Sequence, residues 1–127
     1  MIKKDKEHLL KTYVIYSNYE GKHDICAKIY DYLQDDYSEY YVVEQVGDID
    51  RWDFPPDLLG IHRDWGLESQ DEIIRWLHSR VVPKTRQFLD VMLQAHGLTH
   101  WDLDALLRLN KGKVTDDMFE VAIVENK

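Results

Sequence analysis

Residues 73–98 read IIRWLHSRVVPKTRQFLDVMLQAHGL. Ile73, Trp76 and Leu77 share one face at helical spacing, and Phe88, Leu89, Met92 and Leu93 share a second, with Pro83 between the two sets. The order is helix, corner, helix, stop. Proline has no N–H to lose in the first turn of a helix, and its ring biases the preceding residue toward extended backbone. Pro83 is therefore expected in the first turn of the second helix, with the corner near Val81 and Val82. Gly97 is expected to end that helix in a left-handed conformation, leaving Leu98 to contact its last turn. No acid occurs between Ile73 and Leu89, whereas Arg75, Arg80, Lys84 and Arg86 do. In a chain of formal net charge −8, this is where an anionic partner is to be sought.

Ser69 ahead of Gln70, Asp71 and Glu72 reads as an N-cap with Glu72 at the capping-box position, so the first helix is expected over about 70–80. A third helix begins near 99–102, carries Leu103, Leu106 and Leu107, and stops at Gly112. Beyond it, Thr115, Asp116 and Asp117 make a polar turn, and Phe119, Val121 and Ile123 form one face of a final strand. That strand either returns to the sheet or packs on the helices. Toward the N-terminus, β-branched and aromatic residues favour strands over 9–16 and 40–46, the second closed by Gly47 and Asp48, and residues 18–22 with Gly21 supply a turn. Residues 23–33 fit a helical face and a strand alternation equally well by periodicity. Pro55 and Pro56 connect sheet to helices. The fold class is α+β in a single domain of 127 residues: residues 1–8 frayed, a small antiparallel sheet over 9–47, a three-helix part over 58–112, and a C-terminal strand and tail over 113–127.

All eight tyrosines fall between Tyr13 and Tyr41, where they would decorate both faces of the sheet; cross-strand packing and a ligand-stacking face are the alternatives. Residues 29–62 hold nine acids, among them Asp48, Asp50 and Asp53, against one base, Arg51. That is either a solvated edge that discourages strand association or an acidic docking surface. The negative balance opposes direct binding to nucleic acid or anionic membranes. No apolar run of about twenty residues is present to cross a bilayer and no signal peptide is evident, so the expected location is cytoplasmic.

Catalytic and cofactor motifs are missing. Cys26 is the only cysteine, a small apolar core residue unless a base stands beside it. The six glycines are scattered, so no loop cradles phosphate. His96 and His100 are four apart, but Gly97 breaks the helix that would align them on a metal. Residues 100–110 superficially match a kinase catalytic loop, yet the fifth residue after Asp102 is Leu107 instead of the metal-binding Asn. The expectation is a non-enzymatic chain without metal or cofactor.

The pattern Trp76-Leu77-x-Ser79-Arg80-x-x-Pro83-x-x-Arg86, followed by Gly97-Leu98 and by Asp117-x-Phe119-x-Val121, resembles the small N-terminal module of HipA-type toxin kinases. Asp57-Leu58-Leu59-Gly60-Ile61 stands where that family has a Leu-Pro-Leu-Gly-like segment. The resemblance implies a small antiparallel sheet with helices, and hence a strand at 23–33. Freestanding modules of this type act as antitoxins, so it also implies a kinase encoded nearby as protein partner. Trp76, Arg80, Pro83 and Arg86 are the residues to watch, with Trp76 suited to the core and Arg80 and Arg86 able to pair internally with an acid such as Asp64 or Asp117. Two other functions compete. The acidic stretch could occupy the nucleic-acid site of a target, as in a phage or mobile-element inhibitor. Alternatively, residues 88–112 could form a helix-turn-helix, although Asp102 and Asp104 make its second helix a poor face for phosphates.

Overall fold

The structure is a computed structural model and describes residues 8–18, 21–46, 68–114 and 117–125. Strands β1 (His8–Ser17), β2 (Asp24–Leu33) and β3 (Glu39–Gln45) come first. Helices α1 (Glu68–His78), α2 (Leu89–Ala95) and α3 (Leu103–Asn110) follow, and β4 (Phe119–Glu125) ends the described chain. The strands form one sheet in the order β3-β2-β1-β4, every neighbouring pair antiparallel. This is the α+β architecture expected, and the last strand returns to the sheet beside the first.

Residues 23–33, which periodicity leaves undecided, form β2. The register slips between Ile15 and Tyr16, opposite Ala27 and Ile25, so Cys26 is the extra residue of a bulge. Cys26 and Ala27 are consequently both buried and Ile25 is exposed, which is why the alternation along this segment reads so poorly. Tyr13 and Ile15 of β1 lie level with Ile29 and Ala27 of β2 and with Ile123 and Val121 of β4, on the face the helices cover. Ile73, Trp76 and Leu77 of α1, Leu93 of α2, and Leu106 and Leu107 of α3 complete that core. Tyr13 and Tyr41 point into it, whereas Tyr30 and Tyr32, two apart on β2, present their rings 6.3 Å apart on the opposite face.

The helix boundaries bring two corrections. α1 already includes Glu68, so Ser69 lies inside the helix and is not its N-cap. Pro83 does not open the second helix either: its carbonyl accepts a single-turn bond from Arg86 N–H at 3.1 Å, and α2 begins at Leu89. Phe88 separates the two, because at φ 60° it is left-handed and no right-handed helix continues through it. Gly97 ends α2 as expected. At φ 77° it donates to Gln94 C=O at 3.0 Å while Leu98 N–H reaches Leu93 C=O at 2.8 Å, the paired bonds of a Schellman stop. α3 is capped by the Asp102 carboxylate, which accepts from the N–H groups of Asp104 and Ala105.

Candidate functional site

Arg80, weighed in the sequence both as a partner contact and as an internal pair with an acid such as Asp117, takes the second role. It is 2% exposed and its guanidinium is fully committed inside the protein. Nη1 and Nη2 bind the two oxygens of Asp117 at 2.6 and 2.8 Å, Nε donates to Gly112 C=O at 2.8 Å, and Nη2 also donates to Phe119 C=O at 2.9 Å. The Trp76 ring stacks beneath the guanidinium at 4.9 Å. A planar fork can satisfy this set and a lysine could not. Burial works against the Asp117 anion, but the Arg80 bond and charge and the Phe119 N–H outweigh it and hold the carboxyl below its ordinary range. Arg80 thus ties α1 to the turn that launches β4. Its own carbonyl is held by Asn110 Nδ2 at 2.7 Å. Phe119 is buried at the start of β4, and Trp76 is 5% exposed, so both belong to the core.

The remaining bases of the stretch stay at the surface. Arg75 is exposed and lines a groove of about 300 Å³ with Glu72, Trp76 and Ser79. Lys84 and Arg86 flank the corner between α1 and α2. Trp101 organises that corner: its indole N–H donates to Val82 C=O at 2.8 Å, its ring lies 5.0 Å from His78, and the Lys84 ammonium sits 4.7 Å above it. Burial, and then the Lys84 charge, hold the His78 imidazole below its ordinary value, so it adds no charge near pH 7. Arg86 Nη1 approaches Met92 Sδ at 3.4 Å, which lays the guanidinium along the first turn of α2. Beside these bases, Phe88 is 73% exposed and Val91 65% exposed. Phe88 immediately precedes α2 and Val91 lies in its first turn, so both apolar side chains stand exposed where that helix begins. The corner thus joins an aromatic, an aliphatic and two cations on open surface, with Pro83 exposed between the helices.

A second cluster lies under α3, at the far end of β1. Asp31 is fully buried, neither of its carboxylate oxygens has a hydrogen-bond partner among the described residues, and the Lys11 ammonium is 4.0 Å away. Lys11 gives its hydrogen bond to Asp104 of α3, which also accepts from Tyr13 Oη at 2.8 Å. Burial pushes the Asp31 carboxyl up to about 8, with the neighbouring Glu39 carboxyl adding to the shift and Lys11 opposing it. Glu39 lies diagonally across the β2–β3 pair, since Asp31 is level with Tyr41. Burial lowers the Lys11 ammonium, but the Asp104 bond and charge, backed by Asp31 and Glu39, leave it raised. Lysine, tyrosine and carboxyls are the usual acid–base repertoire, yet the innermost group has no exposure, and what the cluster does is dock α3 onto the sheet.

Sequence reasoning passes over Phe88 as a surface group, Trp101, and the Lys11–Asp31–Asp104 set. Only the presence of a charge within the apolar pattern of β2 could have pointed to Asp31. Asp48, Asp50 and Asp53, and also Asp64 and the segment 57–61, lie outside the described residues. On α3, Leu106 and Leu107 are buried against the sheet and Arg108 is paired with Glu125, which leaves its outer face with Asp102 and the exposed Leu109. No helix among the described residues is long and apolar enough to cross a membrane, and no group of three or more potential metal ligands occurs among them. No family model matches the chain, and neither a curated protein nor a solved structure matches it.

Proposed function

We propose that this chain is a non-catalytic protein-interaction module that docks through the corner formed by Lys84, Arg86, Phe88 and Val91. The observation that carries this is Phe88. An aromatic residue in the left-handed region costs on the order of 1–3 kcal/mol, and here the ring gains no burial in return. Strain without internal compensation is expected where a side chain is presented to something else. Aromatic and arginine side chains together are also the composition of interface hot spots. Around them, two cations in a chain of net charge −8 select a partner surface bearing carboxylates or phosphates.

The resemblance to the N-terminal module of HipA-type kinases supplies the partner class: a serine/threonine kinase encoded beside this protein, restrained or completed by it. Arg80 is unsuitable for testing this, since its loss would disturb the fold. The test is co-purification of the tagged protein with the neighbouring kinase, alongside a Lys84→Ala/Arg86→Ala variant whose folding is checked by circular dichroism. Recovery of the kinase by wild type and its loss with the folded variant are expected. A genome without such a kinase, or equal recovery by both proteins, contradicts the proposal.

A further inference from the structure

The outer edge of β4 is closed over part of its length and open over the rest. Asn18 N–H donates to Met118 C=O, so with a period of two the backbone groups of Glu120, Ala122 and Val124 face β1, and those of Phe119, Val121, Ile123 and Glu125 face outward. Phe119 N–H is taken by the Asp117 carboxylate and Phe119 C=O by Arg80, while Val121 N–H is taken by Lys111 C=O at 2.8 Å. Among the described residues, the Val121 carbonyl and the outward groups of Ile123 and Glu125 have no such partner. Alongside them runs a groove of about 450 Å³ between the edge and α3, lined on the helix side by Leu107, Arg108 and Lys111. The opposite edge of the sheet is treated differently: the Gln70 side-chain amide accepts from Tyr41 N–H at 2.7 Å and donates to Tyr41 C=O at 2.8 Å, imitating a neighbouring strand.

We propose that the open edge of β4 pairs with β4 of a second copy of this chain, antiparallel and centred on Ile123. The hydrogen-bonding groups are self-complementary in that register. Two bonds form between the facing Ile123 residues, and on each side Glu125 N–H of one copy reaches the Val121 carbonyl of the other; of the open groups only the Glu125 carbonyl stays unmatched. The side chains agree with the backbone. On the face turned away from α1, α2 and α3, Ala122 of one copy lies level with Val124 of the other, and both are exposed in the single chain. On the helix-covered face, Glu125, which pairs with Arg108 in its own chain, comes level with Val121 of the other copy and so beside Lys111, which has no ion-pair partner among the described residues, so that pairing adds a second cation to a carboxylate already held by one. The charge match and the apolar match therefore coincide in one alignment.

Sedimentation equilibrium across the micromolar to millimolar range tests this, together with isotope-filtered NOEs in a mixture of labelled and unlabelled protein. A reversible dimer is expected, with intermolecular NOEs at Ile123. Glu125→Lys, which sets like charges together at both ends of the strand pair, should weaken it by about tenfold or more, and Glu125→Lys combined with Lys111→Glu should restore it. Circular dichroism on each variant separates loss of pairing from loss of fold. A monomer at every concentration overturns the proposal, as does a dimer insensitive to Glu125→Lys or one whose NOEs lie away from β4.

Discussion

Arg80 holds its charge in a buried place where it could not be left alone, and the partly exposed Asp117 carboxylate is what neutralises it there. Removing one partner of such a pair strands the other, so Asp117→Ala should destabilise the protein by about 3–5 kcal/mol in urea unfolding. Arg80→Lys should cost nearly as much, because an ammonium cannot reach the Asp117 carboxylate and the Gly112 and Phe119 carbonyls together. Asp31 makes the contrasting prediction. Its carboxyl ionises near 3.8 in the unfolded chain and near 8 in the folded one. Between those values the folded state holds a proton that the unfolded state has released, so this group's stabilisation is complete at low pH and is lost as pH rises through about 8. Denaturant midpoints measured from pH 5 to 9 should therefore fall for wild type, and Asp31→Asn should flatten that slope. The sequence carries the possibility of an internal Arg80–Asp117 pair but not its selection. Charge says nothing about depth, and the two residues are brought together only by the α3–β4 connection.

At the scale of elements, glycine and strand patterning are the most legible features and the helix corner the least. Gly97 is recognisable as a stop because a left-handed residue there is a local requirement. Pro83 misleads, since a proline that suits a helix N-terminus also suits the turn closed by Arg86 N–H. Helical spacing assigns Phe88 to the same face as Leu89, Met92 and Leu93, but its left-handed backbone turns it out of that set. Similarly, the bulge at Cys26 hides the alternation of β2. The two glycines at helix ends should respond differently to alanine. A Cβ on Gly97 meets nothing within 4 Å, so only the positive φ is penalised, at about 1–2 kcal/mol. A Cβ on Gly112 would fall 2.7 Å from Val121 Cβ and 2.9 Å from Val121 N, with φ 65° in addition. Gly112→Ala should therefore cost about 2–4 kcal/mol in thermal or urea unfolding, and should loosen the start of β4.

Across the whole molecule, one face of the sheet is covered by α1, α2 and α3, and the cations divide between interior and surface. Arg80 and Lys11 are used to join helices to strands, whereas Lys84 and Arg86 at the exposed corner have no carboxylate partner among the described residues. This division is invisible to sequence spacing, which groups Arg80 with the other bases. It predicts that partner binding weakens as salt rises, since the corner charges are exposed and screened over about 10 Å at 0.1 M salt. It also predicts that Gln70→Ala, by uncovering Tyr41 N–H and C=O, promotes association through β3 without touching the corner, measurable as light scattering at constant partner affinity.

The most direct measurement is made on Phe88→Gly, with stability and affinity for the kinase proposed as its partner determined on the same preparation. Glycine relieves the left-handed strain while removing an exposed ring, so the variant should be more stable by about 0.5–1 kcal/mol and should bind the kinase at least about tenfold more weakly. A variant that binds as tightly as wild type would contradict the assignment of this corner as the docking surface, whatever its stability.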